Sequence, residues 1–219
     1  MSAPAAGVSP APLAAPLVVA FVVGVTPGKW ARVWEQRMPR HPLELRALPP
    51  SDALAALESA QAQLALLRLP LEPGHEATEF SVIPLYSEQP VVVAPQDHPV
   101  EALDALVLAD LQGETVLEGD WRQCVELAAA GAGVALMPQS VARALSRRDV
   151  IARPVTDAPA TRVALVWPAA NTTPEVEEFI GIVRGRTPNS SRGRQPAAQK
   201  PAARQPSIQK GSSRSGRGH

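Results

Sequence analysis

A nine-residue apolar run near the start of the chain, Leu17 to Val25, constrains the fold more than any other stretch. The run is rich in valine, and only Gly24 interrupts it. It predicts a strand that is buried on both faces, as in the middle of a parallel sheet. Thr26 and Pro27 come next, and this pair is typical of a helix N-cap followed by the first helical turn.

The helix predicted after this strand has an apolar face formed by Trp30, Val33 and Trp34. A strand that runs directly into a helix leaves backbone N–H groups at the carboxyl edge of the sheet. Small ligands bind at that edge in open α/β sheets, and anions suit it best. The residues predicted to contact a ligand here are Thr26, Pro27, Gly28 and Lys29. An ordinary helix cap is the alternative interpretation of the same four residues.

Strands and helices alternate along the rest of the chain, which is typical of an α/β protein with parallel sheets. Further strands are predicted at residues 43–48, 64–69, 81–85, 91–94, 114–118, 134–137, 150–155 and 162–167. Helices are predicted after Asp52 and at residues 101–111, 121–130, 139–147 and from 174 onward. A turn at Pro73 and Gly74 is expected within a loop.

The two ends of the chain differ in composition from its centre. Residues 1–16 are rich in Ala and Pro and carry no charge, so we expect them to be disordered. Residues 187–219 form a predicted disordered tail with no acid. Its seven basic residues are Arg192, Arg194, Lys200, Arg204, Lys210, Arg214 and Arg217. The whole chain has 21 basic and 21 acidic residues, so residues 1–186 hold 14 basic and 21 acidic ones. Only the positively charged tail therefore suits a nucleic acid.

The composition also argues against several classes of protein. No apolar run approaches the roughly 18 residues of a membrane span, and no Lys or Arg precedes Lys29 as in a secretory signal. The single cysteine, Cys124, excludes an internal disulfide and falls on the apolar face of a predicted helix, so a buried thiol in a cytoplasmic protein is expected. Neither metal-ligand spacing nor a nucleophile with a base stands out, so we predict no metal, no cofactor and no enzymatic activity.

Four stretches in a fixed order carry a resemblance to a known family. The first is Gly24-Val25-Thr26-Pro27, and the second is Leu64 to Pro70. The third has several parts: Pro84-Leu85-Tyr86, Val91 to Pro95, Asp97 to Val100 and Ala109-Asp110-Leu111. The fourth is Val125 to Pro138. With these stretches, residues 17–186 resemble the effector-binding domain of LysR-type transcriptional regulators.

The resemblance implies a type 2 periplasmic-binding-protein fold, with two lobes joined by two crossover strands. One lobe would comprise residues 17–86 and 156–186, and the other residues 87–155. A small effector would bind in the cleft between them. Family members associate through these domains, so the resemblance also implies self-association, for example as a homodimer.

The chain departs from the family at three places. Too few residues precede the first strand for the family's helix-turn-helix domain, which puts direct operator binding in doubt. Gln63 stands where the family usually has an Asp before the third strand. The segment from Glu118 to Arg122 is shorter than usual, which would remove part of one cleft wall.

Four further residues are candidates for the ligand site. Arg68 lies in an apolar strand and could pair with a ligand carboxylate, or it could face an edge and cover apolar surface with its stem. Tyr86 and Gln89 lie at the predicted crossover, and Gln139 begins a helix of the second lobe. Each of these three could line the cleft or be an ordinary surface residue.

Two functions follow from these observations. The main hypothesis is a stand-alone substrate-binding domain protein that binds a small anionic effector and acts in regulation through a partner or through self-association. The alternative is a nucleic-acid-associated protein that makes weak, non-specific contacts through the basic tail, whose simpler role would be to keep the chain soluble.

Overall fold

The computed structural model describes residues 15–71 and 79–186. Within these ranges the strands are β1 (Leu17–Phe21), β2 (Leu43–Ala47), β3 (Leu64–Leu69), β4 (Phe80–Glu88), β5 (Pro90–Pro95), β6 (Ala135–Pro138), β7 (Val150–Pro154) and β8 (Thr161–Pro168). The helices are α1 (Gly28–Arg37), α2 (Pro50–Glu58), α3 (Trp121–Ala129), α4 (Gln139–Ala144) and α5 (Pro174–Val183). The predicted turn at Pro73 and Gly74, nearly all of the N-terminal segment and the basic tail lie outside the described residues.

The strands form two sheets, and the chain passes between them twice. The first sheet has the order β2-β1-β3-β8-β4, and the second has the order β6-β5-β7. The chain leaves the first sheet between β4 and β5 and returns between β7 and β8. We call the five-stranded sheet with α1, α2 and α5 the first lobe, and the three-stranded sheet with α3 and α4 the second lobe. The α/β class is therefore confirmed, while the residue boundaries proposed for the lobes stay a prediction.

The expectation of parallel sheets is wrong for most strand pairs. Among the eight strands of the described ranges, β1 alone runs parallel to both of its neighbours, β2 and β3. β8 runs antiparallel to both β3 and β4, and β5 runs antiparallel to β6 and β7. β8 returns from the second lobe and enters the first sheet from the opposite end. A buried apolar run has the same composition in either direction, so its sequence does not encode this orientation.

The core of the first lobe is largely aliphatic, and two of its buried aromatic residues form a pair. Trp34 of α1 and Phe179 of α5 are both fully buried, and their ring centroids lie 5.9 Å apart. On α2, Leu54 and Leu57 lie three residues apart and are both buried. Thr173 caps α5, the helix predicted from residue 174 onward, by accepting a hydrogen bond from the backbone N–H of Val176. The packed face of each helix was therefore readable from the spacing of its apolar residues.

The second lobe has apolar residues on both faces of its sheet. Val91 and Val93 of β5 belong to a cluster that includes Cys124, which is buried as predicted. Val92 and Ala94 belong to a second cluster with Val134 and Val155. Because side chains alternate along a strand, the two clusters lie on opposite faces of the sheet.

Three local predictions need correction. The strand expected at residues 114–118 is replaced by one isolated bridge between Val116 and Val134. The helix expected at residues 101–111 consists of two single 3-10 turns, Pro99–Ala102 and Leu108–Leu111. α1 has Pro27 at its N-cap and no side-chain cap, so the N-cap role predicted for Thr26 is wrong. Across the described ranges, no helix is long and apolar enough to cross a membrane.

Gln63, one of the departures from the family, extends the pairing of β1 with β3. Its side-chain Oε1 accepts a hydrogen bond from the backbone N–H of Val18 at 2.9 Å. Its own backbone N–H donates to the carbonyl of Val18 at 3.0 Å. Gln63 therefore extends the hydrogen bonding between β1 and β3 by one residue, just before β3 begins.

We predict that Gln63→Ala lowers the free energy of unfolding by about 1 kcal/mol, because the N–H of Val18 loses its acceptor in a half-buried position. Urea unfolding measures this change. Gln61→Ala is the matched control, since Gln61 is exposed and its side chain makes no hydrogen bond with the described residues. Equal losses in the two variants would contradict the assignment.

Candidate functional site

Four of the predicted site residues line one cavity between the two lobes. Thr26 follows β1, Tyr86 and Gln89 lie at the end of β4 and in the crossing to β5, and Gln139 begins α4. The cavity has a volume of about 750 Å³. The structure therefore brings together side chains that are up to 113 positions apart in the sequence, from Thr26 to Gln139. Their role in binding stays a prediction.

A second cavity of about 540 Å³ continues the first one toward α1. It is lined by Gly28 and Lys29, and it shares Thr26 and Tyr86 with the larger cavity. We call the two together the cleft. Pro27 is buried and lines neither cavity. The start of α1 thus faces the cleft through Gly28 and Lys29, while Pro27 serves the packing of the turn.

The cleft carries an excess of positive charge. Lys29, Arg32 and Arg143 line it, and none of these three has a carboxylate within ion-pair distance among the described residues. The acid in its lining is Glu88, which is 7% exposed and is paired with Arg68. The Nζ atom of Lys29 lies 4.5 Å from the centre of the Trp30 ring instead. The arrangement suits a small anion.

Sequence reasoning missed Arg32 and Arg143. Arg143 lies four residues after Gln139 on α4, so the two share a helix face. Arg32 lies one turn after Gly28 on α1. Helical spacing from the residues already chosen could have found both arginines.

Arg68 does not line the cleft but joins the two lobes beside it. Its side chain is 8% exposed, and its Nε donates to Oε2 of Glu88 at 2.7 Å. Its two Nη atoms donate to the carbonyl of Val23 and to Oγ of Ser140, each at 2.8 Å. The guanidinium carbon also lies 5.3 Å from the centre of the Trp121 ring. Among the described residues, the carboxylate that Arg68 binds is therefore Glu88 of its own chain.

This arrangement corrects the alternative offered for Arg68. β3 lies inside the first sheet between β1 and β8, so an edge-facing arginine is wrong. A buried guanidinium needs several hydrogen-bond acceptors, and these come from the loop after β1, the end of β4 and the start of α4. The charge inside an apolar strand was the sequence signal for such a network, although its partners could not be read from the sequence.

Gly24 lets the lobes approach each other next to Arg68. Its φ is +83°, a conformation that favours glycine. A Cβ at this position would lie 2.7 Å from Oγ of Ser140 and 2.8 Å from the backbone nitrogen of Val141. The loop after β1 therefore rests against the backbone at the start of α4.

The chemical groups of the cleft are those of a binding site. Hydroxyl groups come from Thr26 and Tyr86, and amides come from Gln89 and Gln139. Burial raises the pKa of the Tyr86 phenol, and the nearby Glu88 carboxylate raises it further, while Arg68 acts in the opposite direction. In the described part of the chain, no three His, Cys, Asp or Glu side chains come together in a way that could hold a metal ion.

Comparison with known proteins gives a family match and several structural matches. The family model described as the LysR substrate binding domain matches residues 22–120 and 119–188. No curated protein sequence matches the chain.

Solved structures with a similar fold include two groups of regulators. The BenM effector-binding domain with its effector benzoate has a TM-score of 0.65 and 15% sequence identity, over 80% of this chain and 92% of that one. The effector-binding domain of a BenM variant has the same TM-score at 16% identity, over 78% and 93%. A cysteine mutant of the OxyR regulatory domain from Pseudomonas aeruginosa has a TM-score of 0.59 at 22% identity, over 78% and 97%. These matches confirm the predicted type 2 periplasmic-binding-protein-like fold.

We predict that Glu88→Ala lowers the free energy of unfolding by about 3–5 kcal/mol, because it leaves the Arg68 guanidinium buried without its carboxylate. Chemical denaturation measures the loss. Glu44→Ala is the matched control, since Glu44 pairs with Arg46 at 2.6 Å but both side chains are exposed to solvent. That control should cost less than about 1 kcal/mol. A Glu88→Ala variant as stable as the control would show that the buried pair does not stabilise the fold.

We also predict that the pKa of Tyr86 lies above the ordinary tyrosine value of about 10 in the folded protein. Glu88→Gln should lower it, because one of the two causes of the rise is removed. Since the folded state then holds the phenol proton more tightly than the unfolded state, stability should fall as the pH rises above about 10.

Tyr86 is the only tyrosine of the chain, so NMR of isotope-labelled tyrosine follows this one titration. The unfolded chain in denaturant supplies the reference value. A pKa at or below that reference in the folded protein would contradict the predicted rise.

Proposed function

This chain belongs to the family of LysR substrate-binding domains, and on that basis we propose that it binds a small anionic effector in the cleft between its lobes. The positive lining of the cleft is the observation that carries the proposal. Lys29, Arg32 and Arg143 contribute three charges there, and the carboxylate of Glu88 is already taken by Arg68. A carboxylate or another small anion would supply the missing counter-charge.

The shape and polarity of the cleft support the same proposal. Its larger cavity, at about 750 Å³, falls within the roughly 300–1,000 Å³ that is usual for small-molecule sites. The first turn of α1 adds the positive end of a ten-residue helix beside Lys29. Thr26, Tyr86 and Gln139 can orient a ligand through hydroxyl and amide groups. BenM is a protein whose effector is benzoate, and a carboxylate of that size would fit this cleft.

We propose that binding is converted into a regulatory output rather than into chemistry. An anion held by Lys29 of the first lobe and Arg143 of the second would favour one relative arrangement of the lobes over others. The output would pass through a protein partner or through self-association of the chain, and the cytoplasm would be its place of action. The proposal is of a binding protein and not of an enzyme, in line with the effector-binding domains that share its fold.

A contact between the basic tail and nucleic acid stays a prediction. The seven basic residues that would make this contact lie in residues 187–219, outside the described residues, and their positive charge is the reason to expect it.

We predict that a screen of small carboxylates, phosphate and sulfate by thermal shift will find anions that stabilise the folded chain. An anion present at 100 times its Kd should add about 2.7 kcal/mol to the free energy of unfolding. Arg143→Gln and Lys29→Gln should each weaken binding by about tenfold or more, because each removes a charge-assisted hydrogen bond.

Arg148→Gln is the control for this screen, since Arg148 is exposed and lines neither part of the cleft. The tyrosine resonance of Tyr86 should shift on binding, which places the anion in the cleft. The proposal fails if a folded chain is stabilised by none of these anions, or if the Arg148 variant binds as weakly as the Arg143 variant.

A further inference from the structure

A separate cavity of about 240 Å³ lies inside the second lobe, beside α4. Its floor is one face of the sheet, because Val91 of β5 pairs with Pro154 of β7, and Val93 pairs with Ala152. All four residues line the cavity. None of the predicted site residues of the first lobe, Tyr86 included, is part of its lining.

The walls of this cavity are largely apolar. Val125 of α3 and Leu145 at the end of α4 line it on the side away from the sheet, and Ser146 adds a polar group there. An enclosed apolar cavity of about 150 Å³ can bind benzene, so the volume here, which opens to solvent at Arg143 and Ala152, is large enough for a ligand of that size. The space in the second lobe therefore suits a short hydrocarbon chain or a single ring.

Two small residues leave this space open. Ala142 of α4 and Ala152 of β7 both line it, and a leucine at either position would fill part of the volume. Ala142 is buried, whereas Ala152 lies on an edge strand and is exposed. A filling substitution is thus easier to accommodate at Ala152.

The rim of the cavity is polar and holds one cation. Gln139 and Arg143 lie one helical turn apart on α4, and both line the cavity. Arg143 is exposed and has no carboxylate within ion-pair distance among the described residues. An apolar interior with an unneutralised arginine at its mouth matches a molecule with an apolar body and one negative end.

We infer that the second lobe has its own binding site for a small amphipathic carboxylate, with the apolar chain beside Val91 and Val93 and the carboxylate on Arg143. Gln139 and Arg143 also line the cleft, so this site and the cleft have two residues in common. The inference does not depend on the function proposed for the cleft, because the apolar chain would contact Val91, Val93 and Ala152, none of which lines the cleft.

The test uses hexanoate, hexan-1-ol and acetate as probes of the full chain, followed by NMR of the valine and leucine methyl groups. Hexanoate should saturate and shift the resonances of Val91 and Val93. Acetate should leave them in place, because it lacks the apolar chain. Hexan-1-ol should bind about tenfold more weakly than hexanoate, because it lacks the charge that Arg143 binds.

Three variants locate the site. Ala152→Leu should weaken hexanoate binding by at least about tenfold by filling the cavity, and Ala130→Leu, at an exposed position outside the cavity, is its control. Arg143→Gln should reduce hexanoate to the affinity of hexan-1-ol. The inference is overturned if hexanoate does not saturate, if Ala152→Leu binds it as the control does, or if the alcohol and the acid bind equally.

The same spectra separate this site from the cleft. A hexanoate that shifts the Tyr86 resonance and leaves Val91 and Val93 unchanged occupies the cleft and overturns the inference, while supporting the proposed function. Hexanoate that shifts the two valines in a chain whose cleft binds no anion supports the inference alone.

Discussion

The buried ion pair of Arg68 and Glu88, together with the hydrogen bond from Arg68 to Ser140 of the second lobe, is the constraint on which the arrangement of the lobes depends. Removing both charges from water is costly, and the cost is offset only because the guanidinium also bonds Val23 and Ser140. Val23 belongs to the first lobe and Ser140 to the second, so separating the lobes would break the hydrogen bond to Ser140 and remove the Trp121 ring from the guanidinium. Gly24 makes the contact sterically feasible, since the backbone of its loop meets the start of α4 with no side chain between them.

The same pair determines the electrostatics of the cleft. Because Glu88 is committed to Arg68, its charge is neutralised within the protein and does not balance Lys29, Arg32 or Arg143. A carboxylate that could have offset one of these three charges instead stabilises the fold through its pair with Arg68. The positive character of the cleft is thus a product of how the core is built, and changes to the pair would alter both stability and ligand preference.

Much of the fold could be predicted from sequence because its signals are local. β3 has the predicted bounds, Leu64–Leu69, because a buried strand is a continuous apolar run. Thr173 caps α5 and is followed directly by Pro174, so the start of this helix is also encoded in neighbouring residues. The direction of β8 and the absence of a strand around Val116 could not be read, because pairing depends on segments far apart. In the site, the residues that follow strand ends were identified, whereas Arg143 and the partners of Arg68 required the packing of one lobe against the other.

The position of β8 has a consequence for how the chain acquires its structure during synthesis. β8 lies between β3 and β4 in the first sheet, yet it is made only after the whole of the second lobe. β4 pairs with β8 alone among the described strands, so it has no neighbour until residues 161–168 have left the ribosome. The second lobe, whose strands are contiguous in sequence, is free to form earlier. The sheet of the first lobe can therefore be completed only after β8 has been synthesised. Such pairing between segments far apart in the sequence slows folding.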